Sequence, residues 1–177
     1  MKRRTLMDFV EDSGKAKVNM RLANRLSGGL DEESKATVSD LVERINNGGD
    51  SLFKELEDFC QQVVDKIADP DVKVDGEDVA WNLVIIDNHL IRIDTELSSL
   101  KSELDFVEMS LKDELNKFYA EQFDGTVNDR TAYAESKTVK ERYTVFVKRA
   151  FYDALISRRD AITSLKKSLE RWAWKNI

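Results

Sequence analysis

The 177 residues include 35% charged side chains but only seven glycines and one proline, which favours long helices over a turn-rich sheet protein and fits one domain, or one domain with a small appendage. No apolar run approaches the ~20 residues a bilayer span needs, and the opening MKRRTLMDFVEDSG lacks the apolar core of a secretory signal, so a cytoplasmic protein is expected. The net charge of −6 is uneven: +4 over residues 1–25, −15 over 26–123 and +5 over 124–177, a pattern that draws polyanions to the ends or joins basic ends to acidic middles.

In chain order, residues 1–25 form a basic arm. A short helix follows in SGGLDEESKATVSDLVERINNGGD, with Ser27 and the acidic Asp31, Glu32 and Glu33 at its start. Leu30, Val38, Leu41, Val42 and Ile45 form its apolar face, and Gly48-Gly49 are expected to end it. A second short helix, from about Ser51 to Ala68, carries Leu52, Phe53, Leu56, Phe59, Cys60, Val63, Val64 and Ile67 at steps of three and four. The single cysteine cannot close an internal disulfide, and Phe59 and Val63 mark it as a packed thiol. DPDVKVDGED, residues 69–78, breaks the pattern and serves as a linker. The division expected is therefore an N-terminal region, 1–75, of basic arm and two short helices, and a second region over 76–177.

That second region holds the strongest periodic signal. Leu83, Ile86, Leu90, Ile93, Leu97, Leu100, Leu104, Val107 and Leu111 alternate steps of three and four, and Phe118 resumes the seam after Glu114. Such a heptad seam without glycine or proline predicts one helix of roughly 65 Å at 1.5 Å per residue. EQFDGTVND is a turn. A return helix is expected from about Arg130 to Trp174, with Val139, Tyr143, Phe146, Val147, Ala150, Phe151, Ala154, Leu155, Ile162, Leu165, Leu169 and Trp172 inward. The fold class predicted is all-α: a long antiparallel, coiled-coil-like hairpin with a small N-terminal helical region. Its apolar residues occupy more faces than one partner helix covers, which predicts a homo-oligomer.

No catalytic constellation is present, and a non-enzymatic protein is expected. His89 is the only histidine, which leaves no Cys/His zinc site. The glycine pairs lack the Lys and Ser/Thr of a phosphate loop. Asp69, Asp71, Asp75 and Glu77 do not follow a calcium-loop pattern. No metal or cofactor is predicted.

The C-terminal third is both basic and aromatic. Ten of the fifteen aromatic residues follow residue 117 and interleave with twelve cations. Cations neutralise phosphates, and aromatic faces stack unpaired bases of any identity. The candidate nucleic-acid-binding residues are Arg130, Lys137, Lys140, Arg142, Lys148, Arg149, Arg158, Arg159, Lys166, Lys167, Arg171 and Trp174. Arg158, Arg159, Lys166 and Lys167 are expected to point outward, because Ala154, Leu155, Ala161, Ile162, Leu165 and Leu169 already supply a buried side. A solvated helix face explains the same cations without DNA, and a packed core explains most of the aromatics.

The stretch FYAEQFDG…NDRTAYAESKTVKERYTVFVKRAFYDALISRRDAITSLKKSLERW resembles the C-terminal part of UvsY-like recombination mediators of T-even-type phages. The likeness consists of the Phe118-Tyr119 pair, a glycine-containing turn, the spaced charges of ESKTVKER, and Ser157-Arg158-Arg159-Asp160-Ala161-Ile162. It covers about residues 83–177. It implies a helical homo-oligomer that binds single-stranded DNA and helps a RecA-type recombinase replace single-strand-binding protein, in the cytoplasm of a host cell. Members place basic residues before the aromatic pair; here Asp113 and Glu114 lie between Lys112 and Lys117, which moves the implied DNA contact to the return helix. Two other readings stand beside it: a coiled-coil structural or adaptor protein without nucleic acid, and an acidic DNA mimic.

Overall fold

The structure, a computed structural model, describes residues 32–122 and 124–176. The basic arm, Ser27, Leu30, Asp31 and Phe123 lie outside the described residues, as do the side chains of Glu33, Val38 and Leu41. Every regular element among the described residues is a helix: α1 Glu32–Ala68, α2 Gly76–Glu121, α3 Val127–Lys137 and α4 Val139–Lys175. By their contacts these residues form two compact units, one of 47–97 with 154–176, the other of 32–46 with 98–122 and 124–153.

The expected stop at Gly48-Gly49 does not occur, and α1 runs through it as one helix. Glycine in a helix interior costs about 1 kcal/mol relative to alanine, a penalty smaller than the packing gain on the C-terminal side. There Phe53, Leu56, Cys60 and Val63 are all buried at steps of three and four. No described glycine has a positive φ, and a Cβ on Gly48 would meet nothing within 4 Å. Gly48→Ala is therefore expected to stabilise the protein by about 0.5–1 kcal/mol, chiefly by restricting the unfolded chain; urea denaturation measures it. The helix ends where Asp69 precedes Pro70, a position that disfavours helical backbone. Burial pushes the Cys60 thiol up to about 12, with Glu57 adding to the effect, as befits a packed thiol.

Asp75 caps α2 by accepting a hydrogen bond from the Asp78 N–H at 2.9 Å. The seam is buried as its spacing predicts, with Ile86, Leu90, Ile93, Leu97 and Leu104 all in the core. In the first unit the start of α2 is tied to the end of α4, the Gly76 N–H donating to the Asn176 carbonyl at 3.1 Å. In the same unit Asp87 pairs with Lys166 and Asp94 with Arg159. In the second unit Glu103 pairs with Lys148 and Glu108 with Arg149. Within the first unit the partner falls from 166 to 159 along α4 as α2 rises from 87 to 94, the antiparallel pairing of a helical hairpin.

The return arm is two helices rather than one. The capping box at Thr126 and Asp129 starts α3. The interruption follows at Thr138, fully buried, whose N–H and Oγ1 both donate to the Ala134 carbonyl at 3.2 and 2.9 Å. The backbone of Thr138, at φ −111° and ψ 21°, leaves the helical region there. On α4, Tyr143, Val147, Phe151, Leu155, Ile162, Leu165 and Leu169 are inward as expected. Phe146 is not: it is 39% exposed, and Val145 is buried beside Tyr143 instead.

Candidate nucleic-acid interface

The twelve candidate residues separate into cations that hold helices together and a smaller group that faces water. Arg158 belongs to the first. Its side chain is 11% exposed. The guanidinium donates to both carboxylate oxygens of Glu57 and to Asp50 Oδ1 at 3.2 Å, and stands 5.0 Å from the Phe53 ring. One nitrogen also reaches the Gly49 carbonyl at 3.4 Å. Desolvation pulls its pKa down, but the hydrogen bonds and charges of Glu57 and Asp50 outweigh that and raise it. The expectation of an outward Arg158 is thus corrected: it clamps α4 to α1.

The same correction applies to two neighbours. Arg159 donates to both oxygens of Asp94, at 2.9 and 3.1 Å, and to Asp160. Lys166 lies 2.7 Å from Asp87 and 3.1 Å from Glu170. Both pKa values are raised, first by the hydrogen bonds to Asp94 and Asp87 respectively. These cations face inward because the helices opposite them are acidic. A long side chain reaches around the edge of a helix to a carboxylate while its stem covers apolar surface.

In the second unit, Arg142 is exposed and 3.3 Å from Glu135. Lys148 lies 3.8 Å from Glu103, and Arg149 donates to Glu108 Oε1. Arg130 braces the turn through the Gly125 carbonyl at 3.1 Å and packs 5.8 Å from the Tyr119 ring. Lys137 is exposed with its ammonium 5.4 Å from the Tyr133 ring. Lys140 is exposed at the rim of a largely apolar cavity of about 190 Å³ that Phe106, Leu111 and Glu114 help to line.

What remains in the first unit is a short stripe. Lys167, Arg171 and Trp174 fall at i, i+4 and i+7 on one face of α4, opposite Leu165 and Leu169, and all are exposed. Trp174 is 80% exposed, and Lys175 follows it. None of these three cations makes an ion pair among the described residues. Two of them, Arg171 and Lys175, stand near the helix C-terminus, where cations also complement the helix dipole. Both planar and cationic surfaces are therefore offered together over two helical turns.

Sequence reasoning missed the acidic partners of the clamp, Asp50, Glu57, Asp87 and Asp94. The signal available was the basic end facing an acidic middle, but which carboxylate meets which cation depends on helix register. It also missed Trp81, which is 73% exposed at the start of α2; its position off the Leu83–Leu111 seam was the clue. His89 lines a polar cavity of about 250 Å³ between α1 and α2 with Glu55, Arg92 and Glu96. Among the described residues no three His, Cys, Asp or Glu side chains are placed to hold a metal ion, and no helix is long and apolar enough to cross a membrane. No protein-family model, curated protein or solved structure matches the chain.

Proposed function

We propose that this chain is a non-enzymatic, homo-oligomeric protein that binds single-stranded DNA and assists a RecA-type recombinase in replacing single-strand-binding protein. The observation that carries the reading is the exposed Lys167–Arg171–Trp174 stripe with Lys175 beside it. The resemblance of residues 83–177 to UvsY-like mediators supplies the recombination context, including action in a host cytoplasm. The binding mode is phosphate neutralisation by the cations and base stacking on the indole, neither of which reads sequence. Each copy offers a weak site, and linked copies raise avidity on one strand.

Fluorescence anisotropy of a labelled oligothymidylate, titrated at several salt concentrations, tests this. Binding should weaken as salt rises. Lys167→Ala with Arg171→Ala should flatten the log–log salt slope by about 1.4, at about 0.7 per phosphate contact on a single strand. Trp174→Ala should cost about 1–3 kcal/mol of affinity. Wild-type protein without salt-sensitive binding at low ionic strength would overturn the reading.

The adaptor reading has an observation of its own, the exposed apolar face of α2 around Trp81, Val84 and Ile91. The DNA-mimic reading is the poorest: Asp50, Glu57, Asp87 and Asp94 are occupied by Arg and Lys of the same chain rather than displayed.

A further inference from the structure

The side of α2 turned away from the core is unusual for a chain so rich in charge. In the first unit Trp81, Val84, Asn88, Ile91 and Thr95 follow one another at steps of three and four, and all are exposed. This is a second heptad seam on the opposite side of the helix from Ile86, Leu90 and Ile93. A solvated helix normally carries charge there. Between residues 79 and 95 the acids Asp87 and Asp94 are drawn to Lys166 and Arg159. Arg92 is the one charged side chain left beside the exposed seam, and Ile85 flanks it, also exposed.

We propose that this face binds the same face of a second copy of the chain, with the two α2 helices antiparallel. The seam is self-complementary in spacing. The steps from Trp81 through Val84 and Asn88 to Ile91 read three, four, three in either direction. A two-fold axis midway therefore sets Trp81 of one copy against Ile91 of the other, and Val84 against Asn88. Such a contact is isologous and closes on itself. Charge agrees with this register. Asp78 and Arg92 occupy equivalent flanking positions two heptads apart, both exposed, and neither makes an ion pair among the described residues. The axis brings Arg92 of each copy alongside Asp78 of the other, twice over. A parallel pairing would put this flank of the two copies on opposite sides of the seam, where Asp78 and Arg92 do not meet.

The inference deepens the assembly part of the proposed function and is independent of DNA binding, since the α4 stripe plays no part in it. The test is sedimentation equilibrium of the full-length protein. The wild type should be an assembly of at least two copies. Ile91→Lys and Arg92→Glu should each weaken it by at least about tenfold, with far-UV circular dichroism unchanged because both side chains are exposed. Arg92→Glu combined with Asp78→Arg should restore it. A monomeric wild type overturns the proposal, as does an assembly indifferent to Ile91→Lys. Weakening by Ile91→Lys without rescue by the double charge reversal overturns the antiparallel register. Oligonucleotide binding measured on the same samples separates the two readings: its absence from an intact dimer counts against DNA binding alone.

Discussion

Replacing Arg158 by alanine is expected to lower the unfolding free energy by about 2–3 kcal/mol and to leave the affinity of the folded protein for an oligonucleotide unchanged. This reverses the expectation from sequence, in which the arginine points outward as a nucleic-acid contact. Breaking a buried ion pair from one side costs about 3–5 kcal/mol, because the other charge stays desolvated. Here Glu57 is 24% exposed and Asp50 more so, so both rehydrate in part and the cost is discounted. Release of the clamp to serve DNA is excluded on magnitude. Freeing α1 would bare Phe53, Leu56, Cys60 and Val63, each buried to within a few per cent. The three largest alone are worth about 1.5–3 kcal/mol each, more than a phosphate contact returns. Replacing both Arg158 by Met and Glu57 by Leu should recover most of the loss, since apolar pairs often substitute for buried ion pairs without penalty. Urea denaturation and anisotropy titrations measure the two halves of the prediction. A loss of affinity without a loss of stability would restore Arg158 to the DNA site.

Phe53→Ala should have the largest effect of any single change named here, about 3–5 kcal/mol of destabilisation. The ring is fully buried, so its removal loses transfer free energy and leaves a cavity between α1 and α4. It also removes the aromatic face 5.0 Å from the Arg158 guanidinium, a contact worth a further ~0.5–1 kcal/mol. Because the two residues touch, the double variant with Arg158→Ala should be less destabilised than the separate losses predict. Calorimetry of the four proteins gives the coupling; strict additivity would mean that ring and guanidinium do not support each other.

The long helix over residues 76–121 and its inward seam were legible because heptad spacing acts locally: a helix turns side chains at three and four steps to one side whatever surrounds it. Leu90, Leu97 and Leu104 needed no tertiary information to be assigned to the core. The continuous α1 was not legible, because two adjacent glycines are a stop signal only when the flanking packing is weak. The break at Thr138 was hidden because residue type does not mark it: Thr95, Thr144 and Thr163 make the same hydroxyl-to-carbonyl bond inside unbroken helices.

By itself the sequence determined the helical class, the hairpin, the packed Cys60 and the charge asymmetry, since each follows from residue type and spacing along the chain. Only the tertiary structure decided what the asymmetry is for. Arg158, Arg159, Lys166 and Lys167 have similar neighbours in sequence, yet three of them fasten helices and Lys167 faces water. The difference lies in which carboxylate stands across the helix interface. An ion pair is set by distances of 3 to 4 Å between residues far apart in the chain, and the period of one helix carries no information about the register of another.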